Sequence, residues 1–184
     1  MDEKPSLPTL NPMTACSILG DKARLIPPYI HFVTKPTFFA GPVFVISVLG
    51  GTRRLDVVLK NVPPGRVIVI DAQCQTHTAF VGKSQVQAAI TAKAKGLLVL
   101  GAVHNPTLLN NQTSLPIMAM GVSARMGDSD KGVTMRHYCY TDIGPIQDEG
   151  DDAIGPGDSV VCSESGQVIA KTSDIREKFG EKSV

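Results

Sequence analysis

The spacing of apolar and polar residues along the chain predicts strands that alternate with helices. Three apolar runs, residues 43–49, 66–71 and 97–103, are rich in Val, Ile and Leu, which is typical of strands buried on both faces. Residues 84–95 lie between the second and third runs and repeat apolar residues at helical spacing. The pattern therefore predicts a central βαβ unit with a right-handed crossover.

The ends of this helix carry their own signals. Ser84 and Gln87 have the spacing of a capping box, which predicts that the helix begins at Ser84. Lys93 and Lys95 fall in the predicted last turn, and Gly96 follows as the terminating residue.

Shorter patterns predict the rest of an α/β domain with a partly antiparallel addition. Helices are expected over 14–19 and 54–60, strands over 116–120 and 133–141, and a C-terminal β-hairpin from 160–162 and 167–170. In this interpretation 1–13 is an extended N-terminal lead-in, 14–170 is a single domain, and 171–184 is a polar C-terminal tail, either helical or frayed.

Composition narrows the class of protein. A hydrophobic content of 42% with 19% charged residues excludes a disordered chain. The longest apolar stretch, residues 38–49, is interrupted by Gly41 and Pro42 and is far shorter than the ~20 residues of a membrane span. No basic segment followed by an apolar one opens the chain. We therefore expect a soluble, cytoplasmic protein without membrane contact.

The net charge of +1 argues against binding driven by nucleic-acid phosphates, so no direct nucleic-acid contact is expected. The charge is unevenly divided, with +6 in residues 1–110 and −5 in residues 111–184. Complementary contact between subunits and simple solvation both explain this division.

The four cysteines form no Cys-x-x-Cys pair, so we expect reduced thiols in packed strands at Cys16, Cys74, Cys139 and Cys162. A zinc site built from Cys74-x-x-His77 and His137-x-Cys139 lacks the usual paired ligand spacing, and ordinary packing is favoured.

Candidate ligand-binding residues follow the strands of the βαβ unit, where open α/β sheets place their ligands. They are Asp71, Cys74 and His77, then Gly82, Lys83 and Ser84 at the helix start, then His104 and Asn105. Free amides at a helix start beside a glycine and a lysine favour a small carboxylate or phosphate. The alternative is a capped helix start with a solvated lysine. A nucleotide P-loop is excluded, because His77 stands where that motif requires glycine.

Six segments in the same order resemble one family, that of the regulator of ribonuclease activity A and the 4-hydroxy-4-methyl-2-oxoglutarate aldolases. They are Phe-Ala-Gly-Pro-Val-Phe-Val from 39, Pro-Gly-Arg-Val-Ile-Val-Ile-Asp from 64, Gly82, Lys-Gly-Leu-Leu-Val-Leu-Gly-Ala-Val from 95, Leu-Pro-Ile-Met-Ala-Met-Gly from 115, and 155–169. The resemblance covers roughly residues 14–170. It implies a β/β/α sandwich of the swivelling-domain type, assembled as a trimer or as a hexamer of two trimers.

The resemblance also implies a site. Active aldolases of this family hold a divalent ion and a pyruvate enolate at a subunit interface, and also decarboxylate oxaloacetate. In their Gly-x-x-Arg-Asp signature the Arg binds the substrate and the Asp binds the metal. Here Gly101 begins the matching stretch, and His104 and Asn105 replace both functional residues. Lys83 stands where active members place an acidic residue or Asn.

We therefore assign no catalytic residue and no metal ligand, and expect no cofactor. Gly82, Lys83, Ser84 and His104 remain candidates for holding a substrate or anion. The favoured hypothesis is a regulator that contacts a ribonuclease or an RNA helicase. The alternative is a class II aldolase or oxaloacetate decarboxylase of changed activity, dependent on Mg²⁺ or Mn²⁺, with His104 as electrophile. A third interpretation is a purely structural subunit.

Overall fold

The computed structural model describes residues 9–26, 28–35, 37–48, 51–134, 139–140 and 153–184. The helices are α1 (Pro12–Leu19), α2 (Leu55–Lys60), α3 (Lys83–Thr91), α4 (Pro106–Gln112) and α5 (Thr172–Phe179). The strands are β1 (Arg24–Leu25), β2 (His31–Phe32), β3 (Phe38–Val48), β4 (Gly51–Arg53), β5 (Val67–Val81), β6 (Gly96–Val103), β7 (Ile117–Val122), β8 (Asp128–Thr134), β9 (Cys139–Tyr140), β10 (Ala153–Ile154), β11 (Asp158–Ser163) and β12 (Gly166–Lys171).

One large mixed sheet dominates the described part of the chain. Its main order is β1-β12-β11-β3-β5-β6-β7-β2, and β8 pairs with both β3 and β4. The central neighbours β3, β5, β6 and β7 run parallel. The outer pairs β1–β12, β12–β11, β11–β3 and β7–β2 are antiparallel. This mixed α/β architecture confirms the predicted fold class.

The sheet curls back on itself. Phe32 of β2 and Phe39 of β3 are separated by three strands in the sheet order, yet their rings meet edge to face at 5.8 Å. The side-chain amide of Gln167 in β12 also donates to the carbonyl oxygen of Ile30, just before β2. The concave face therefore encloses its own core, which includes Val69, Leu98 and Val160.

The helices cover the other face in two groups. α2, α3 and α4 bury Leu55, Val86 and Leu109 against the parallel strands. α1 and α5 bury Leu19, Ile175 and Phe179 against β3, β11 and β12. Residues 172–179, expected to be helical or frayed, are thus a packed helix. Within the described residues, no helix has the length and apolar character needed to cross a membrane.

The βαβ unit β5–α3–β6 and the hairpin β11–β12 confirm the sequence predictions. The predicted bounds of α3 were wrong. The helix begins at Lys83, after an N-cap at Gly82, and ends at Thr91. Lys93 then adopts the left-handed conformation (φ 56°), and Gly96 starts β6. The strand predicted over 133–141 falls partly outside the described residues.

The prediction that every cysteine lies in a packed strand was also wrong. Cys162 in β11 is buried, and burial raises the pKa of its thiol. Cys16 lies in the helix α1, and Cys74 is exposed. The reduced state expected of these thiols stays a prediction.

Candidate functional site

The candidate site lies where the parallel strands β5 and β6 end side by side. Val81 and Val103 are register partners, and the backbone N–H of His104 donates to the carbonyl oxygen of Val81 at 2.8 Å. The fold thus brings Gly82 and His104, which are 22 positions apart in sequence, next to each other. The His104 side chain is half-buried, and Lys83 is exposed.

The start of α3 differs from the sequence prediction in its cap. The buried side-chain oxygen of Gln85 accepts a hydrogen bond from the amide of Gly82 at 3.1 Å. Gly82 therefore cannot offer that amide to a ligand. This corrects the expectation from the sequence, in which Gly82 was a candidate for holding an anion. The first intrahelical bond runs from the Val86 amide to the Gly82 carbonyl oxygen, so the amides of Lys83 and Ser84 precede it and lack an intrahelical acceptor.

Asn105 acts as the N-cap of α4. It has the left-handed conformation, with φ 49°, and its side-chain oxygen accepts from the Leu108 amide at 3.1 Å. Pro106 occupies the first helical position, where its lack of an N–H is harmless. The oxygen of Asn105 that a cation would bind is therefore already a hydrogen-bond acceptor within the helix.

The strand that the sequence pattern ended at residue 71 is longer in the structure, because β5 continues to Val81. Asp71 pairs with Leu100 and Gln75 with Gly101, so four residues of β5 advance against one of β6. Gln73 and Cys74 accommodate this bulge with positive φ. Gly101 is required beneath it, since a Cβ there would lie 2.7 Å from the Cβ of Ala72.

Asp71 points into this bulge and towards β3. One carboxylate oxygen accepts from the Gln73 amide at 3.0 Å, and the other accepts from the Ser47 hydroxyl at 3.3 Å. Asp71 is thus engaged in holding the bulge. The backbone oxygen of His77 accepts from the Ser123 hydroxyl at 2.8 Å, which ties the end of β5 to the chain beyond β7.

Residues 123–127 form a side of the site that sequence reasoning missed. The Ala79 amide donates to the carbonyl oxygen of Arg125 at 2.7 Å, and the Gly127 amide donates back to Ala79 at 2.8 Å. This pairing places the sulfur of Met126 3.5 Å from the position that a Cβ on Gly82 would take. The sequence signal that could have pointed to this segment is Gly127, which packs on the ring of Phe80 where a side chain would be crowded.

A divalent cation does not fit the residues present. Mg²⁺ and Mn²⁺ prefer carboxylate oxygens, whereas His104 and Asn105 offer an imidazole and an amide oxygen that is already hydrogen-bonded. Within the described ranges, no group of three or more His, Cys, Asp or Glu side chains is placed to hold a metal ion. Cys74 and His77, considered above for a zinc site, belong to no such group. His137, the other histidine of that hypothesis, lies outside the described residues.

A single chain encloses little space at the site. The cavity between α3 and α4, lined by Lys83, Val86 and Leu109 among others, measures about 20 Å³. Pockets for small organic ligands are about 300–1,000 Å³. A cleft of about 450 Å³ lies elsewhere, between β2 and the β11–β12 hairpin, lined by Phe32, Lys35 and Glu164 among others. A larger ligand at the candidate site would need walls from a second subunit.

Comparison with known proteins agrees with this architecture. The sequence model of the RraA-like family, described as Aldolase/RraA, matches residues 12–169. The chain belongs to this family. One curated RraA-like relative, from Bacillus cereus, is provisionally named a 4-hydroxy-4-methyl-2-oxoglutarate aldolase. It is 25% identical over 146 residues, which span 77% of this chain and 84% of the relative.

Solved structures show the same RraA-like fold. The RNA-processing inhibitor RraA from Thermus thermophilis has a TM-score of 0.73 at 18% identity, covering 92% of this chain and 93% of that one. A protein from Geobacillus kaustophilus, described as an S-adenosylmethionine: 2-dimethylmenaquinone methyltransferase, also reaches 0.73 at 19% identity, covering 88% and 95%. Streptomyces coelicolor RraAS2 reaches 0.69 at 22% identity, covering 92% and 84%. At these identities the likeness establishes the fold alone.

Proposed function

We propose that this RraA-like chain is a regulator that acts by protein contact, with the aldolase site of its family altered. One observation carries the proposal. Asn105 follows β6 where the resemblance to active aldolases places a metal-binding Asp, and its oxygen caps α4. The site has thereby replaced a charged ligand by a neutral residue with a structural role.

The chemistry of carbon–carbon cleavage explains why this replacement matters. Cleavage to pyruvate develops negative charge on an enolate oxygen, which positive charge must stabilise. His104 lacks the planar two-pronged guanidinium with which Arg grips a carboxylate and a carbonyl together. Losing one such contact commonly lowers the rate by ~10²–10³, so two losses at the same charge leave little activity.

The same residues favour an anion without a metal. Lys83 brings positive charge to the start of α3, and the amides of Lys83 and Ser84 have no acceptor within the helix. A cation bound beside Lys83 would be repelled by its ammonium group. We propose that Lys83, Ser84 and His104 hold a small carboxylate or phosphate there, as a binding rather than a catalytic function.

The second candidate is a lyase of changed activity. The aldolase name of the Bacillus cereus relative favours it. So does the position of His104, which is half-buried beside the start of α3, where a neutral imidazole could polarise a carbonyl. The two candidates differ in whether pyruvate is released.

A coupled lactate dehydrogenase assay with Mg²⁺ or Mn²⁺ tests the proposal. The substrates are 4-hydroxy-4-methyl-2-oxoglutarate and oxaloacetate. We expect no efficient pyruvate release from the native protein, and a gain in the double variant His104→Arg/Asn105→Asp. Asp is as good an N-cap as Asn, so the change preserves α4. Asn111→Asp, which adds the same charge to an exposed position of α4, is the control. Native turnover on the order of 1 s⁻¹ would overturn the proposal.

The regulatory arm is tested separately. Purified protein is titrated into an RNA-cleavage reaction run by an endoribonuclease, with and without an RNA helicase. We expect inhibition that saturates at a fixed molar ratio. Unchanged cleavage at excess protein would reject the ribonuclease partner. We also propose a trimer, or a hexamer of two trimers, and light scattering behind a sizing column would reveal a monomer instead.

A further inference from the structure

A second cleft lies towards the opposite end of the parallel strands from the candidate site. It measures about 450 Å³ and opens between β2 and the turn of the β11–β12 hairpin, and we call it the hairpin cleft. Met118 of β7 lines it and is the register partner of Leu98, five positions before Val103 in β6. The cleft and the candidate site are therefore roughly 15–20 Å apart along the strands. Its volume falls within the ~300–1,000 Å³ of pockets that hold small organic ligands.

The floor of the hairpin cleft is apolar and held in place. Ile30 and Met118 line it and are buried, and Phe32 lines it and is half-buried. Phe32 and Met118 are register partners across β2 and β7, so their side chains lie on the same face of the sheet. The ring of Phe32 also meets that of Phe39 edge to face. Such a floor stabilises an apolar ligand by removing its surface from water.

One wall of the hairpin cleft carries a positive charge on a fixed backbone. The buried Thr34 hydroxyl donates to the carbonyl oxygen of Leu115 at 3.0 Å and accepts from the Ile117 amide at 2.9 Å. The next amide, that of Lys35, donates to the side-chain oxygen of Asn110 at 2.7 Å. The Lys35 side chain lines the cleft and is exposed. Because its backbone is already ordered, binding a ligand there costs less conformational entropy.

The opposite wall, formed by the hairpin turn, offers acceptors. Glu164 lines the cleft with an exposed carboxylate. Gln167 lines it too, and its side-chain nitrogen donates to the carbonyl oxygen of Ile30, which fixes the amide. Its Oε1 is buried and has no hydrogen-bond partner among the described residues. An acceptor withdrawn from water without a donor raises the free energy of the folded protein, so this wall favours a ligand that brings N–H groups.

The hairpin cleft thus combines opposite charges on two walls with an apolar floor. Within the described ranges, neither Lys35 nor Glu164 forms an ion pair with another side chain. We propose that this cleft binds a small zwitterion with an apolar body, either a free apolar amino acid or a dipeptide. The ligand carboxylate pairs with Lys35, its ammonium group donates to Glu164 and to Oε1 of Gln167, and its side chain packs on Phe32 and Met118. This inference is independent of the proposed function.

Isothermal titration calorimetry of the full chain with L-phenylalanine tests the proposal. We expect Lys35→Gln and Glu164→Gln each to weaken binding about three- to tenfold, because each removes a charged partner that is partly solvated. Lys60→Gln and Glu177→Gln remove the same charges from exposed positions that do not line the cleft, so both should bind as the native protein does. Equal affinities of the native protein and the two cleft variants would overturn the proposal.

Ligands that lack one charge test which wall holds which group. 3-Phenylpropionate has no ammonium group, so Glu164→Gln should no longer weaken its binding. Phenethylamine has no carboxylate, so the same holds for Lys35→Gln. A loss that persists without the matching ligand group would contradict this pairing. Tighter binding of phenylalanyl-alanine than of phenylalanine would identify a dipeptide, and the reverse would identify the free amino acid.

NMR of the methionine methyl groups locates the ligand in the native protein. We expect L-phenylalanine to shift the methyl resonance of Met118, because the ligand ring packs on that side chain. The resonances of Met126, beside Gly82, and of the exposed Met13 on α1 should not move. A shift at Met126 alone would place the ligand at the start of α3 and overturn the proposal. So would an unchanged Met118 resonance at the highest soluble concentration of phenylalanine.

Discussion

The side-chain oxygen of Gln85 accepts a hydrogen bond from the backbone amide of Gly82 at 3.1 Å, across the first turn of α3. Both residues are buried. The glycine has no side chain with which to cap the helix, so the residue three positions later reaches back instead. This bond fixes the direction in which the chain leaves β5 and therefore sets where Lys83 and Ser84 lie.

Replacing Gln85 by Ala should lower the free energy of unfolding by about 1–3 kcal/mol, because a buried donor is left without an acceptor. Gln85→Glu keeps an acceptor and should lose less. Urea denaturation followed by circular dichroism measures both, with Gln87→Ala on the exposed side of the same helix as the control. Equal stabilities of Gln85→Ala and Gln87→Ala would contradict this assignment.

Asp158 holds three elements at one buried point. Its side chain is 2% exposed and lies 3.0 Å from Arg24 Nη2 in β1 and 2.8 Å from Lys171 Nζ in β12. Its other oxygen accepts from the Gly155 amide at 3.0 Å. Asp158→Asn keeps an acceptor for that amide but removes the negative charge.

We expect Asp158→Asn to lower the free energy of unfolding by about 2–3 kcal/mol, below the usual penalty for breaking a buried pair because both cations are partly solvated. Thermal and urea unfolding measure the loss. Asp174→Asn, which removes an ion pair with the exposed Lys22, should lose far less. A loss no greater than that of Asp174→Asn would show that Asp158 does not anchor the hairpin.

Lys83→Glu should weaken the binding of a small dicarboxylate such as oxalate at the start of α3 by on the order of 1–2 kcal/mol, which is about five- to thirtyfold. The substitution reverses the charge beside the amides of the first helical turn, which lack an acceptor within the helix. Titration calorimetry measures the affinity, and Lys60→Glu supplies the same charge change at the exposed end of α2. Equal affinities of the native and Lys83→Glu proteins would refute an anion site here.

The lowered pKa of Lys95 predicts a pH dependence of stability. The unfolded chain keeps a Lys95 pKa near the model-peptide value of 10.5, above that of the folded protein. Between the two values the unfolded state binds more protons, so this group makes the free energy of unfolding rise with pH. This gain in the free energy of unfolding is complete above about pH 10.5. It is lost as the pH falls through the Lys95 pKa of the folded protein.

Urea denaturation of the native protein and Lys95→Gln, from neutral pH to pH 10.5, should therefore show a stability difference that shifts in favour of the native protein as the pH rises. Lys60→Gln corrects for the general loss of a lysine. A difference that does not change with pH would contradict the lowering of the Lys95 pKa by partial desolvation.

The central strands and the hairpin could be predicted from the sequence because their signals are local. The β-branched run that opens β5 and the Leu-rich run of β6 favour buried strands wherever they lie, and the turn at Gly166 favours a hairpin. The candidate residues at 82–84 and 104–105 were found for the same reason, since parallel strands end at one edge of a sheet.

Tertiary structure alone decided what these residues do. The bulge of β5 depends on close contact between Ala72 and Gly101, and the pairing of Ala79 with Arg125 joins segments 46 positions apart. The curl of the sheet, seen in the contact between Phe32 and Phe39, has no local pattern either. The hydrophobic periodicity of a segment determines which face is buried, but not which distant segment buries it. For that reason the sequence placed Gly82, Lys83 and Ser84 at a helix start, while only the folded chain showed that Gln85 occupies the first amide and Met126 lies beside it.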